Sequence, residues 1–488
     1  MIDQFFLILG KVEAPVIAAA AVFLPLLFSY HIIMTKKDVR AAIGWVGLVW
    51  LVPFVGAFLY LLLGINRIQR KAARVRLSRK EYSQTHSNDL SKIASIDSEV
   101  SFHKGFASHI RLVDKIGRMP MTSGNMITPL NGAEQAFPAM IDAINNAKKN
   151  IVLASFIFGS DEVGKSFSDA LVRAAERGVT VRVLIDGLGE FYSWPLASRS
   201  LRKAGVKVAR FNKSLLPWRM AYFNLRNHRK IMIIDGKEGF TGGINLRSGR
   251  GGRVFPERAI RDFHFHLLGP IVEQMMAVFL EDWKFSTKEN IELSQMMVGK
   301  KAQHSGGVLA RGLPDGPDED IDKVSWVLQS ILGAARKNIK IITPYFLPDR
   351  LLLRAINFAS LRGVDVEIYL PVENNLPFVS WAAEAQYDQL LKGGCKIFLT
   401  EPPFDHSKLM VVDNEWVLFG STNWDPRSLR LNFEFNVECF DKKLAELTTQ
   451  HISALKQGAS EVTLSMAKNK NPWIKLRNGI AWLFSPYL

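Results

Sequence analysis

NHRKIMIID, residues 227–235, opens on a polar and basic run, passes through four apolar residues and closes on an aspartate. DHSKLMVVD, residues 405–413, repeats the pattern at the same spacing, giving His228, Lys230 and Asp235 in one copy and His406, Lys408 and Asp413 in the other. The unbroken apolar runs IMII and LMVV are those of strands buried on both faces, which belong to α/β proteins. Alternate side chains of a strand share a face, so each copy delivers one imidazole and one ammonium to a single place.

Working outward, the order of elements also recurs. A helical pattern at 137–150 leads into an apolar strand at 151–158, then a helix at 166–178 and a strand at 179–186; the same succession runs through 325–338, 339–346, 351–363 and 364–371. Asn150 matches Asn338, Arg177-Gly178-Val179 matches Arg362-Gly363-Val364, and His228 matches His406, at separations of 188, 185 and 178. The steady shrinkage is what insertions in the first copy's loops produce. Duplication predicts an α/β fold of two pseudo-twofold-related lobes, over 126–300 and 301–488, with largely parallel or mixed sheets covered by helices and the two motifs facing each other across one cleft. Residues 71–125, rich in serine and charge, read as a basic linker with some helix.

The chain has 488 residues and a net charge of +16, so its favoured partners are anionic: nucleic acid or the phosphates of a membrane surface. Two cysteines, Cys395 and Cys439, are too few for a disulfide framework or a cysteine-based metal site. Segments 14–34 and 43–65 contain no Asp, Glu, Lys or Arg. Each is long enough to cross ~30 Å of hydrocarbon, which predicts a two-helix transmembrane hairpin over 1–70. Trp45, Trp50 and Tyr60 are candidate interfacial anchors. Lys36, Lys37 and Arg40 lie in the hairpin turn, whereas Arg67, Arg70, Lys71, Arg74, Arg76, Arg79 and Lys80 follow the second segment. The heavier cluster stays inside, so the large C-terminal portion is expected in the cytoplasm, against the inner leaflet.

Imidazole serves as nucleophile, acid or base near neutral pH, and ammonium groups stabilise charge on the nonbridging oxygens of a phosphoryl group in transfer. One histidine cannot both attack phosphorus and protonate the departing alcohol from the opposite side; two facing histidines can. The expected chemistry is phosphodiester cleavage through a phosphohistidine, calling for no metal and no cofactor. Gly242, Gly243 and Asn245 follow the first motif, and Gly420, Ser421 and Asn423 the second, where they would allow close approach of phosphate and offer hydrogen bonds. Asp262 and Glu434 come later, and either is expected to hold its own lobe's histidine by one ring nitrogen. Asp235 and Asp413 are counted with the catalytic motifs but read as structural support, because a carboxylate beside the scissile phosphate would repel it. His264 and His266 read as packed strand histidines rather than metal ligands. The GRGGR run at 249–253 suits a basic loop over an anionic site as well as a nucleic-acid-binding segment.

These motifs resemble those of the phospholipase D superfamily and, within it, the bacterial cardiolipin synthases, over nearly the whole chain. The N-terminal R-A-A-x-G-W at 40–45 with Pro53, Gly56, Tyr60 and Gly64 is similar to that group's membrane anchor. TPYFLPD at 343–349, GSTNWDPRSLRLNFEFN at 420–436 and the closing LFSPYL at 483–488 are similar to its characteristic segments. The resemblance implies transfer of a phosphatidyl group from one phosphatidylglycerol to another, giving cardiolipin and glycerol, in a bacterial inner membrane. It implies His228 as nucleophile and His406 as acid and then base. Lys230, Lys408, Asn245 and Asn423 would bind phosphate oxygens, with Asp262 and Glu434 orienting the histidines. After GGIN at 242–245 the sequence departs from the pattern, reading LRSGRGGRVFPERAIRD where an acidic, tyrosine-bearing stretch is expected; this bears on acceptor choice. A membrane-tethered hydrolase of lipid or nucleic-acid diesters and a noncatalytic basic scaffold are the alternatives. The hairpin favours lipid, so no nucleic-acid partner is expected, and an oligomer is left open.

Overall fold

A computed structural model of the protein describes residues 2–36, 38–64, 105–212, 225–248, 260–297, 307–317 and 322–485. The basic cluster at 67–80, the GRGGR run and the last three residues of LFSPYL lie outside these residues.

The N-terminal helices belong to a compact unit of their own. The first runs from Ile2 to Thr35, and its stretch Pro15–Thr35 is long and apolar enough to cross a membrane, at a mean hydropathy of 2.2. The second apolar segment differs from the single span expected. It is a 13-residue helix, Val39–Leu51, then a short helix, Pro53–Leu59, then a π-helical turn, Tyr60–Gly64. Pro53 is the cause: it has no N–H to donate, and its ring drives the preceding residue out of the helical region, where Val52 has φ −137°. Ile32, Val49 and Tyr60 are buried where these helices meet.

The second unit is built on a 16-stranded mixed sheet. In the first half the strands are β1 (Thr122–Asn131), β2 (Asn150–Ser155), β3 (Thr180–Asp186), β4 (Lys207–Phe211), β5 (Arg226–Asn227), β6 (Ile231–Ile234), β7 (Glu238–Gly242) and β8 (Phe263–Leu268). In the second they are β9 (Val308–Asp315), β10 (Asn338–Ile342), β11 (Asp365–Pro371), β12 (Lys396–Thr400), β13 (Leu409–Val412), β14 (Trp416–Gly420), β15 (Asn432–Phe440) and β16 (Ser460–Glu461). The order β8-β7-β6-β2-β3-β4 of the first half recurs as β15-β14-β13-β10-β11-β12 in the second, and β1 and β9 join the two in the middle. Strands β2, β3 and β4 are mutually parallel, as are β10, β11 and β12; the rest of each set is antiparallel. Amphipathic helices cover the parallel strands: Ala133–Asn146 and Glu162–Glu176 in the first half, Lys323–Ala334 and Arg350–Leu361 in the second. Their apolar faces meet the strands in two separate cores.

The described part of the stretch expected as linker is folded. Ala107–Ile116 is a helix, and Phe106, Ile110 and Val113 pack among Leu309, Val324 and Leu328 of the second half's core. Their i, i+4, i+7 spacing is a helical stripe that the surrounding polar residues hide in a coarse reading.

Asp235 and Asp413 require a correction as members of the catalytic motif. Each sits beyond the far end of its strand in a left-handed turn, with φ 53°, and its carboxylate accepts three backbone N–H groups. Those donors are Lys148, Lys149 and Asn150 for Asp235, and Arg336, Lys337 and Asn338 for Asp413, all at 2.7 to 3.0 Å. The carboxylates cap the turn that feeds β2 and β10, a strand's length from the histidines. Asp413→Ala is expected to cost about 1–2 kcal/mol of stability, read as a lowered Tm, with turnover at permissive temperature close to that of the unaltered chain.

Candidate active site

Both histidines lie on extended segments that lead into the strands. His228 and Lys230 stand between β5 and β6, and His406 and Lys408 just before β13. The backbone of each lead-in runs beside the carboxylate-bearing strand of the opposite half. Strand β5 pairs in parallel with the start of β15, and His228 N–H donates to the Phe433 carbonyl at 2.9 Å. In the mirrored contact, Arg261 bridges to Asp405 and His406 N–H donates to the Arg261 carbonyl at 2.7 Å.

This crossing exchanges the orienting carboxylates. His228 Nδ1 lies 2.9 Å from Glu434 Oε2, and His406 Nδ1 lies 2.8 Å from Asp262 Oδ2. The expectation that each carboxylate serves its own half's histidine is therefore corrected: each serves the other's. In both cases Nδ1 is occupied and Nε2 is left for chemistry. Lys230 Nζ donates to the His228 carbonyl at 2.8 Å, while Lys408 Nζ donates to the His406 carbonyl and lies 3.0 Å from His406 Nδ1.

Five of the six groups are buried and His406 is half-buried, and loss of water bears on the protonation of each. It lowers Lys230 to about 7 and Lys408 to about 8, and raises Asp262 to about 7. For Glu434, burial opposes ionisation, but His228, Lys230 and the Ser421 hydroxyl outweigh it and hold the carboxyl below its usual range. Burial lowers His228 despite Glu434. His406 is lowered further, by burial and then by the charges of Lys408, Lys230 and His228, so the two imidazoles share one electrostatic neighbourhood.

Gly243 and Ser421, expected against phosphate, are turned to the carboxylates instead. A Cβ at Gly243 would stand 2.1 Å from Asp262 Oδ1. At the equivalent place Ser421 Oγ donates to Glu434 Oε2 at 2.5 Å and accepts from Phe435 N–H at 3.0 Å. The shorter aspartate thus approaches a bare backbone, and the longer glutamate is met by a hydroxyl. Gly243→Ala is expected to push Asp262 off His406 and reduce turnover by about 100-fold with the fold intact, read by kcat beside an unchanged circular dichroism spectrum.

Asn245 is half-buried and accepts weakly from Ile157 N–H, at 3.4 Å. Asn423 is buried, its amide donates to Ser428 Oγ at 3.1 Å, and its carboxamide oxygen has no partner among the described residues. His264 is buried, and His266 pairs with Glu238 at 2.9 Å, each within β8. Two aromatic neighbours escaped the sequence reading. The Phe156 ring lies 5.1 Å from that of His228, and the Tyr345 ring 6.3 Å from that of His406. Tyr345 Oη donates to Asn375 Oδ1 at 2.7 Å, and burial pushes its phenol far above the ordinary range. The signal for Tyr345 was its place just past the strand β10, in TPYFLPD.

Similarities to known proteins bear on this geometry. A family described as "Cardiolipin synthase, PLD-like domain" matches residues 140–253 and 328–456, and one described as "Phospholipase_D-nuclease N-terminal" matches 23–64. The chain is 30% identical to cardiolipin synthase 2 of Bacillus anthracis, over 94% of this chain and 88% of that one. It is 31% identical to cardiolipin synthase of Staphylococcus aureus strain Mu50, over 96% of each. Among solved structures, phosphatidylserine synthase of Haemophilus influenzae Rd KW20 superposes at a TM-score of 0.59 and 15% identity, over 78% of this chain and 100% of that one, a likeness of fold. With both repeats matched and relatives aligned over 88% or more of their length, the chain belongs to the cardiolipin synthase family of the phospholipase D superfamily.

Proposed function

We propose that this chain is a membrane-bound cardiolipin synthase, transferring a phosphatidyl group from one phosphatidylglycerol to the hydroxyl of another and releasing glycerol. The observation that carries the reading is the reciprocal pair of imidazoles, each held at Nδ1 by a carboxylate from the opposite half. In this reading the halves are pseudo-twofold lobes, 126–300 and 301–488, with one site on the axis between them. His228 Nε2 attacks phosphorus, and the bond from phosphorus to the leaving glycerol oxygen breaks as His406 supplies that oxygen with a proton. The second phosphatidylglycerol then gives a hydroxyl proton to His406 and attacks the phosphohistidine, releasing His228. Lys230, Lys408, Asn245 and Asn423 bind the nonbridging oxygens. A reversed carboxamide at Asn423 would let its oxygen accept from Ser428 and turn its N–H₂ toward phosphate.

The N-terminal segment is the bilayer anchor: Pro15–Thr35 as one span and the Pro53-broken segment as a second, in a hairpin over 1–70. The charge count supports a catalytic portion on the cytoplasmic face of a bacterial inner membrane.

Protonation sets the expected pH dependence. As pH rises past about 7 to 8, Lys230 and Lys408 lose charge and Asp262 gains a negative one. All three changes weaken anion binding. Glycerophosphoglycerol, whose single negative charge is fixed over this range, is expected to inhibit at least about tenfold less strongly at pH 9 than at pH 6, measured by competition.

The functional test is purified protein in mixed micelles with phosphatidylglycerol, following cardiolipin, glycerol and phosphatidic acid together. Cardiolipin and glycerol in equal amounts are expected; phosphatidic acid as the sole product would make the chain a hydrolase.

A further inference from the structure

The helix Pro472–Leu483 is apolar on the wrong side for a soluble domain. Its inner face, through Asn478 and Ala481, seats on the helix Pro377–Glu384: Asn478 donates to Glu384 at 2.8 Å, and Ala481 packs with Leu347 and Ala382. The face turned away carries Trp473, Leu476, Ile480 and Leu483, spaced i, i+3, i+7, i+10 and 77, 53, 46 and 67% exposed. Such a stripe costs free energy in water unless something covers it. Charge says what: from Val462 to Leu488 there is no Asp or Glu, while Lys468, Lys470, Lys475 and Arg477 are present. Tryptophan beside apolar residues and lysines is the composition of a helix lying in the interface of an anionic bilayer.

The patch is continuous with the site. The ring of Phe484, just past the helix, lies 5.9 Å from that of Phe378 and is tilted against it, and Phe378 lies three residues beyond Asn375, the partner of Tyr345 at His406. On the other half, exposed Phe191, Tyr192 and Trp194 follow β3, and the Tyr192 ring lies 6.2 Å from Phe156, the neighbour of His228. Strands β3 and β11 hold equivalent places in the two halves, so both apolar rims stand past the same ends of matched strands.

We infer that the helix Pro472–Leu483 is an interfacial docking helix, which with the aromatic turn at 191–194 sets the mouth of the active site against an anionic lipid surface. A transmembrane anchor tethers the catalytic unit; this rim orients it, so that a phosphatidylglycerol headgroup reaches the histidines with its acyl chains still in the bilayer. The inference rests on the site acting on membrane phospholipid.

The test uses the full chain in nanodiscs containing phosphatidylglycerol. Cys395 and Cys439 are buried, so Leu476→Cys gives one accessible thiol for an environment-sensitive fluorophore. Blue-shifted emission quenched by shallow spin-labelled lipid is expected. Emission typical of water, or self-quenching between labelled copies that marks a dimer face, would overturn the inference. In parallel, the double variant Leu476→Glu/Ile480→Glu is expected to lose roughly tenfold or more of its turnover on long-chain phosphatidylglycerol in vesicles while keeping turnover of a short-chain, monomeric phosphatidylglycerol within about twofold. Equal loss on both substrates would make the helix merely structural, and no loss on either would remove its role. A lipid-quenched label in a chain that makes no cardiolipin would uphold the docking helix and sink the assigned reaction; cardiolipin synthesis with a water-exposed label would do the reverse.

Discussion

His228→Ala and His406→Ala are each expected to lower cardiolipin formation by at least about 10⁴-fold, because neither leaves a second group that can do the missing task. The two losses should differ in kind. Without His228 no covalent intermediate can form. Without His406 the attack is intact but the leaving glycerol goes unprotonated, so an analogue with a nitrophenol leaving group, which needs no proton, should load the enzyme and stop. Mass spectrometry of the His406→Ala protein after such a reaction is expected to find the phosphatidyl group on the peptide containing His228. An adduct on the other motif in the reciprocal variant, or turnover retained in either, would contradict the assigned roles.

The exchanged carboxylates give the second large effect. Glu434→Gln replaces an acceptor at His228 Nδ1 with an amide that can donate, which favours the tautomer bearing hydrogen on Nε2 and removes the nucleophile's lone pair. A loss of roughly 10³ to 10⁴-fold is expected, with no adduct at all. Asp262→Asn does the same to His406, which as a neutral Nε2–H imidazole is too weak an acid to protonate the leaving glycerol and has no lone pair on Nε2 to take the acceptor's proton. That variant should load His228 from the nitrophenol analogue and fail at transfer to the second hydroxyl, where His406 must accept a proton. A second-half substitution thus silences the first-half histidine, and the reverse. Single-turnover trapping separates the two, and the opposite pattern would exchange nucleophile and acid.

Much of this was legible in the chain itself. The offsets between copies located equivalent strands and helices to within a few residues, because buried parallel strands and their covering helices leave strong, local patterns: 151–158 against β2, 364–371 against β11. What spacing could not carry was partnership across space. Asp262 follows His228 by 34 residues and Glu434 follows His406 by 28, and own-half pairing would produce the same sequence as exchange; only the run of β5 along β15 decides between them. The same limit hid the placing of Gly243 and Ser421, small in both readings but turned to a carboxylate instead of a phosphate. The helix at 107–116, expected only as some helix within a linker, could not be placed for another reason, since three apolar residues in a charged stretch acquire meaning only when a distant core receives them. The break at Pro53 was readable, for proline's effect on the residue before it is local.

The borrowing of carboxylates has an evolutionary corollary. A single half could work only by associating with an identical copy, and symmetry would then force both imidazoles to carry the same anion, with the same tendency to hold or give up a proton. Covalent fusion released them from that equality. One imidazole acquired a glutamate backed by a serine, the other an aspartate against bare glycine, so that tandem ancestry let one ancestral residue diverge into an attacker and a proton carrier.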